Sequence, residues 1–125
     1  MASEPPYDRM TVVRVPFPFT DREATKVRPA LVLSSASVFG TPAGHSVLAM
    51  ITSAKHSAWP LDVAIRDLAA AGLAMPCVVR MKLFTLDHTL IRGRLGRLGA
   101  DDAASVREGL IQLLDLGEPA PGSSP

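Results

Sequence analysis

Residues 15–35 read VPFPFTDREATKVRPALVLSS: an apolar strand end, a polar loop, then a second apolar strand. The loop carries Thr20, Asp21, Arg22, Glu23, Thr25 and Lys26, and it closes in Arg28-Pro29 at the mouth of Ala30-Leu31-Val32-Leu33. Pro29 fixes its own φ and pushes Arg28 into extended geometry. An arginine at such a junction is held in place yet reaches solvent, which is one way to aim a guanidinium at a phosphate. The alternative is a hairpin in which Arg28 caps an edge or pairs with Asp21 or Glu23, as a solvated surface charge.

Working outward, Thr11-Val12-Val13-Arg14-Val15 is β-branched and reads as the first strand. Pro16 and Pro18 forbid a central ladder there, so the strand ends at an edge or bends, with Phe17 and Phe19 flanking the bend as core residues or as a stacking surface for a base. Residues 28–35 form the second strand, buried on both faces or bent through a small barrel. Gly40, Pro42 and Gly44 mark a turn-rich connector. Further strands are expected over 46–53, 61–65, 77–83 and 90–98. Two internal glycines in the last, Gly93 and Gly96, predict a bend or a close backbone approach. A helical turn over 67–71 closes at Gly72. A C-terminal helix follows, capped by Asp101 or Asp102 and ended by Gly117, with Val106, Leu110, Leu113 and Leu114 on one apolar face. Short, closely spaced strands with one terminal helix predict an α+β fold, mainly β: a small curled sheet or barrel. The boundaries are a flexible lead-in over 1–9, one domain over 10–117, and a Pro/Gly/Ser tail over 118–125.

Composition bounds the function classes. The chain has 125 residues and 47% apolar content, enough for one core. No apolar run approaches the ~18 residues of a membrane span, and MASEPPYDRM lacks the apolar segment of a signal peptide, so a cytoplasmic protein without membrane contact is expected. The single cysteine, Cys77, permits no internal disulfide and no Cys-rich metal site, and reads as a buried inert thiol. Net charge is only +1, so the charge distribution matters more than its total. Arg22, Lys26 and Arg28 share one loop, Lys55 and His56 another, and Arg80 and Lys82 one strand, whereas acids gather after Asp101. Walker, dinucleotide and nucleophile-elbow patterns are absent.

The ordered series resembles the MazF/PemK toxins of toxin–antitoxin pairs. VPFPFTD, a polar loop and RPALVLS resemble the family's opening. Ala49-Met50-Ile51-Thr52-Ser53 resembles its third strand, which ends in a Thr, and Trp59-Pro60-Leu61-Asp62-Val63 the next. Ala71-Gly72-Leu73, Cys77-Val78-Val79-Arg80, Leu83-Phe84-Thr85-Leu86-Asp87 and residues 91–98 complete the pattern. The resemblance implies an SH3-like barrel with attached helices. It also implies a metal-independent, cofactor-free endoribonuclease that cuts single-stranded RNA at short sequences, leaving a 2′,3′-cyclic phosphate and a 5′-hydroxyl. Its partners would be a second copy in a homodimer and an antitoxin with an acidic C-terminal segment.

RNA cleavage by its own 2′-hydroxyl needs a proton acceptor, a stabiliser for the crowded phosphorane, and an acid for the leaving oxygen. The family's catalytic Arg falls on Arg28 and its Thr on Thr52. Arginine suits charge stabilisation through its planar fork and is a poor general base. Some relatives place an Asp two residues after a fifth-strand Arg; here Lys82 follows Arg80, so that carboxylate is lost. His56, four residues past Thr52, is the candidate acid/base, with a solvated loop histidine as the alternative. Arg22, Lys26, Lys55, Trp59, Arg80 and Lys82 are candidate RNA contacts, with Trp59 stacking a base or packing on the barrel. The competing function is non-catalytic, a gyrase poison or an RNA or antitoxin binder on the same fold. The missing Gly-Asp before the first strand, where Met10-Thr11 stand, favours that competitor, and Arg28 with Thr52 favours the enzyme.

Overall fold

The computed structural model describes residues 7–17, 26–56 and 58–117. Residues 18–25, with Arg22 and Phe19, lie outside them, as do residues 1–6 and the tail over 118–125. Six strands form one curled antiparallel sheet: β1 (Thr11–Phe17), β2 (Lys26–Val32), β3 (His45–Ser53), β4 (Val63–Ala64), β5 (Cys77–Asp87) and β6 (Gly93–Arg97), in the order β4-β5-β3-β2-β1-β6. This is the curled half-barrel with a C-terminal helix that the strand spacing predicts. Its short helices are α1 (Thr41–Ala43), after a π-helical turn over Ala36–Gly40, and α2 (Leu68–Ala71); the long one is α3 (Ala100–Leu114).

The prolines fit because each lies where its strand has one neighbour. β1 pairs with β6 only from Thr11 to Arg14, and Pro16 lies beyond that, opposite Val27 of β2. β2 pairs with β3 only from Ala30 onward, just past Pro29. No second ladder runs past either proline, so a missing N–H disrupts none.

Apolar side chains leave both faces of the sheet, as the β-branched runs predict. Val12, Leu31, Ile51 and Val79 face α2 and α3 with Val106, while Val13, Val15, Val32 and Leu48 face the other way with Leu86 and Ile91. Val106 is wholly buried, worth ~1.5–3 kcal/mol to the helix–sheet contact.

Gly72 and Gly96 make the close approach between α2 and β6. A Cβ at Gly72 would run into the Leu95 carbonyl oxygen, and one at Gly96 into the Ala70 carbonyl oxygen. Gly72 also ends α2 in the left-handed region, at φ 75°.

Several local expectations are corrected. The lead-in is tied down from Tyr7, which packs on the second core, and Asp8 accepts from Ala36 N–H at 2.9 Å. α3 begins at Gly99 with no side-chain cap, because Asp102 turns inward and accepts from Arg66 and Asp67 N–H at 2.9–3.1 Å. It ends at Asp115, φ 56°, two residues before Gly117. Leu113 and Leu114 are exposed, because the sheet supports α3 only as far as Leu110. Cys77 is half-buried on β5; its thiol pKa is nonetheless pushed up by burial.

Candidate active site

Four segments converge on a cavity of about 230 Å³ lined by Phe17, Arg28, Met50, Ile51, Thr52, His56, Arg80 and Lys82. β2 delivers Arg28 just before Pro29, with the guanidinium carbon 5.0 Å from the Phe17 ring centroid across the β1–β2 hairpin. Its Nε is buried and has no hydrogen-bond partner among the described residues. A buried donor is rarely left so, since the loss is on the order of 1–3 kcal/mol. The arrangement suits an acceptor arriving in the cavity.

β3 delivers Thr52. A turn after it, with His56 N–H donating to the Ser53 carbonyl at 3.2 Å, folds His56 back so that its Nδ1 lies 3.4 Å from Thr52 Oγ1. The four-residue spacing in sequence becomes a side-chain contact.

β5 delivers Arg80 and Lys82 through an irregularity the sequence did not announce. Ala49 pairs with Leu83 but Met50 pairs with Arg80, so β5 carries extra residues at that point. Arg80 and Met81 are consecutively buried, then Lys82 and Leu83 consecutively exposed. A bulge of this kind re-aims side chains, and here Arg80 is buried and Lys82 exposed along one cavity wall.

Arg80 is not a solvated cation. Asp62 grips it with both oxygens, Oδ1 to Nε at 3.2 Å and Oδ2 to Nη2 at 2.9 Å. That hydrogen bonding, opposed by burial and aided by the charge of Asp62, pushes the Arg80 pKa up. Trp59, 40% exposed, lies beside the same wall, with Lys82 Nζ 4.4 Å and the Arg80 guanidinium carbon 5.9 Å from its ring centroid.

Of the residues singled out in sequence, Arg28, Thr52, His56, Arg80 and Lys82 meet at the cavity, with Trp59 beside it. Lys26 and Lys55 are exposed and do not line it, and Arg22 lies outside the described residues. Asp62 is the residue sequence reasoning missed: it reads as a strand position, and only the fold places it on Arg80. His88 and His45 are drawn into other contacts, His88 Nε2 to buried Ser46 Oγ at 2.8 Å and His45 Nε2 3.9 Å from Asp87. Among the described residues no group of three His, Cys, Asp or Glu side chains is placed to hold a metal ion, and no helix is long and apolar enough to cross a membrane.

The sequence pattern of PemK-like, MazF-like toxins of type II toxin–antitoxin systems matches residues 8–114. The chain belongs to the MazF/PemK toxin family. Its fold is similar to MazF from Deinococcus radiodurans, with 28% identity, TM-score 0.68, and 90% of this chain and 99% of that one covered. It is equally similar to a MazE–MazF structure from the same organism, with 26% identity, TM-score 0.69, and 89% and 97% covered. An endoribonuclease from a mycobacterial species shares the fold at 17% identity, TM-score 0.68, with 94% and 100% covered. No curated protein matches the chain. Lys82 stands two residues after Arg80, and the carboxylate that meets Arg80 in this chain is Asp62.

Proposed function

We propose that this MazF/PemK toxin is an endoribonuclease that cuts single-stranded RNA by attack of the 2′-hydroxyl on the adjacent phosphate. The observation that carries the reading is the buried Nε of Arg28, without a partner among the described residues, in a cavity that also holds Thr52, His56, Arg80 and Lys82. A phosphate oxygen is the acceptor such a donor lacks, and arginine's fork holds two of them.

In this reading Arg28 and Lys82 stabilise the charge that grows on the phosphorane, and Thr52 Oγ1 adds a hydrogen bond. The 2′-oxygen forms a bond to phosphorus as the bond to the 5′-oxygen breaks. His56, in contact with Thr52, takes the 2′ proton, and water protonates the leaving 5′-oxygen. The products are a 2′,3′-cyclic phosphate and a 5′-hydroxyl, and the hydroxide left by the water takes the proton back from His56. Trp59, flanked by Lys82, offers a ring on which a base can stack. Lys26 and Lys55, exposed outside the cavity, would track the backbone farther out. We infer a homodimer and an antitoxin partner as well. The exposed Leu113, Leu114 and Leu116 at the end of α3 form an apolar surface suited to protein contact, and the Deinococcus relative is described as a MazE–MazF pair.

The test is incubation of purified protein with a long single-stranded RNA in EDTA, beside Arg28→Ala and Thr52→Ala. Cleavage at a recurring short sequence, lost in Arg28→Ala, supports the reading, and mapping of the product ends checks the cyclic phosphate. A folded, antitoxin-free wild type that cuts none of several RNAs refutes it and moves attention to binding partners, gyrase first.

A further inference from the structure

Leu61 holds φ at 66°, in the left-handed region that a side chain of its kind avoids. Backbone strain of that sort persists only where the surroundings impose it. Here the turn is tied twice by one residue: Asp62 N–H donates to the Trp59 carbonyl, and Trp59 N–H donates to Asp62 Oδ2, both at 3.1 Å. The turn rests on α3 at a glycine. A Cβ at Gly109 would stand 3.0 Å from Met81 Cε and 3.9 Å from the Leu61 carbonyl oxygen, so the helix comes close beneath it. The carboxylate held this way grips the Arg80 guanidinium through both oxygens, with the two side chains only 18% and 10% exposed.

We propose that Asp62 is a positioning residue of the RNA-cleaving site, fixing the Arg80 guanidinium in the cavity wall and thereby setting where the phosphate sits. The proposal rests on the ribonuclease reading above. Arg80 lines the cavity and Asp62 does not, so Asp62 acts through Arg80 and touches no substrate. A bidentate fork has one orientation, whereas an arginine without its partner samples many rotamers. Asp62 also neutralises one of the three basic side chains lining the cavity, Arg28, Arg80 and Lys82. A lone phosphate therefore meets two cations with no ion pair among the described residues and one fixed fork. The strain in the turn, the grip on its own Trp59 N–H and the grip on Arg80 are one device, with Asp62 as its common member.

The experiment is a double-mutant cycle on the short RNA that the wild type cuts, with kcat and KM measured for wild type, Asp62→Asn, Arg80→Ala and the double variant. Misplacing one group at a reacting centre lowers turnover on the order of 10–100-fold. We expect each single variant to lose that much, mainly in kcat, and the double variant to fall no lower than Arg80→Ala alone. Losses that multiply would show that Asp62 acts independently of Arg80 and would overturn the proposal. If Asp62→Asn does not fold, the cycle is run with Asp62→Glu, which keeps the charge and displaces the fork by one methylene. Wild-type turnover in Asp62→Glu overturns the proposal equally. A wild type that cuts no RNA removes the ribonuclease reading and this proposal together, whereas a cutting wild type with multiplying losses removes this proposal alone.

Discussion

Replacing Arg28 with Met separates stability from activity, because the two depend on this residue with opposite signs. The buried Nε of Arg28 has no partner among the described residues, and an unmet donor of that kind destabilises by about 1–3 kcal/mol. Against this stands the guanidinium over Phe17, a contact at 5.0 Å worth about 0.5–1 kcal/mol at a half-exposed site. Methionine keeps most of the stem volume and adds no polar group. The balance runs from near zero to ~2.5 kcal/mol in favour of the variant, and at ~4 °C per kcal/mol for a domain of this size Tm rises by up to ~10 °C. Cleavage moves the other way. Loss of a preorganised donor to a developing oxyanion costs on the order of 10²–10³ in rate. The assay is a thermal melt by circular dichroism beside single-turnover cleavage of one short RNA. A variant that melts well below the wild type would show that Arg28 holds the hairpin together. A stable variant that still cuts at the wild-type rate would remove Arg28 from the chemistry.

Four other changes test separate parts of the argument. Thr52→Val is expected to lower single-turnover cleavage about 10²-fold with Tm nearly unchanged, since only a half-buried hydroxyl is lost. His56→Ala is expected to remove one limb of the pH–rate profile, and a profile identical to wild type would exclude His56 as proton acceptor. Gly96→Ala is expected to destabilise by about 3 kcal/mol in urea titration, because its Cβ meets backbone of α2 that cannot yield. The Asp8 pKa is lowered, chiefly by the Ala36 N–H, so its contribution is present above the ordinary value near 3.8 and lost as pH falls through the lower folded value. Asp8→Asn should therefore be less stable than wild type at pH 7 and lose less on acidification to pH 3, as read by urea midpoints. Asp87, lowered by its bonds to Thr89, adds to the same acid limb.

What the sequence discloses here is what local physics determines. The β-branched run of β1, the helical turn closed by Gly72 and the close approach at Gly96 all follow from residue type and neighbours. Arg28, expected at a strand mouth, lies inside β2 opposite Val15, because the β1–β2 hairpin pairing runs on to Lys26. Helix boundaries were less legible because tertiary contacts redirect the residues that would set them. Asp102 looks like a cap, but it turns inward to satisfy Arg66 and Asp67 N–H, leaving Gly99 to start α3. Leu113 and Leu114 continue the helical period of Val106 and Leu110, yet the sheet does not extend beneath them. Periodicity reports which residues share a face and says nothing about how far the opposing layer reaches.

The wall formed by Arg80 and Lys82 shows why a site is harder to read than a fold. Strict alternation along β5 would put Arg80 and Lys82 on one face as two equivalent cations. The irregular register opposite Met50 instead buries Arg80 and exposes Lys82, and register is a property of two strands, invisible in either alone. The carboxylate that meets Arg80 comes from a turn 18 residues earlier in the chain. Judged by position 82 alone, this chain has lost an acidic partner; judged by the folded wall, the arginine has one. An arginine paired within the protein holds its place before substrate arrives, whereas Arg28, with a donor unmet, is completed by substrate. The site thus divides its two arginines into one that is set and one that is waiting, and that division predicts opposite stability effects for the two. Truncating Arg80 leaves the part-buried Asp62 carboxylate with only the Trp59 N–H and destabilises the fold, while truncating Arg28 removes a donor that has no partner among the described residues.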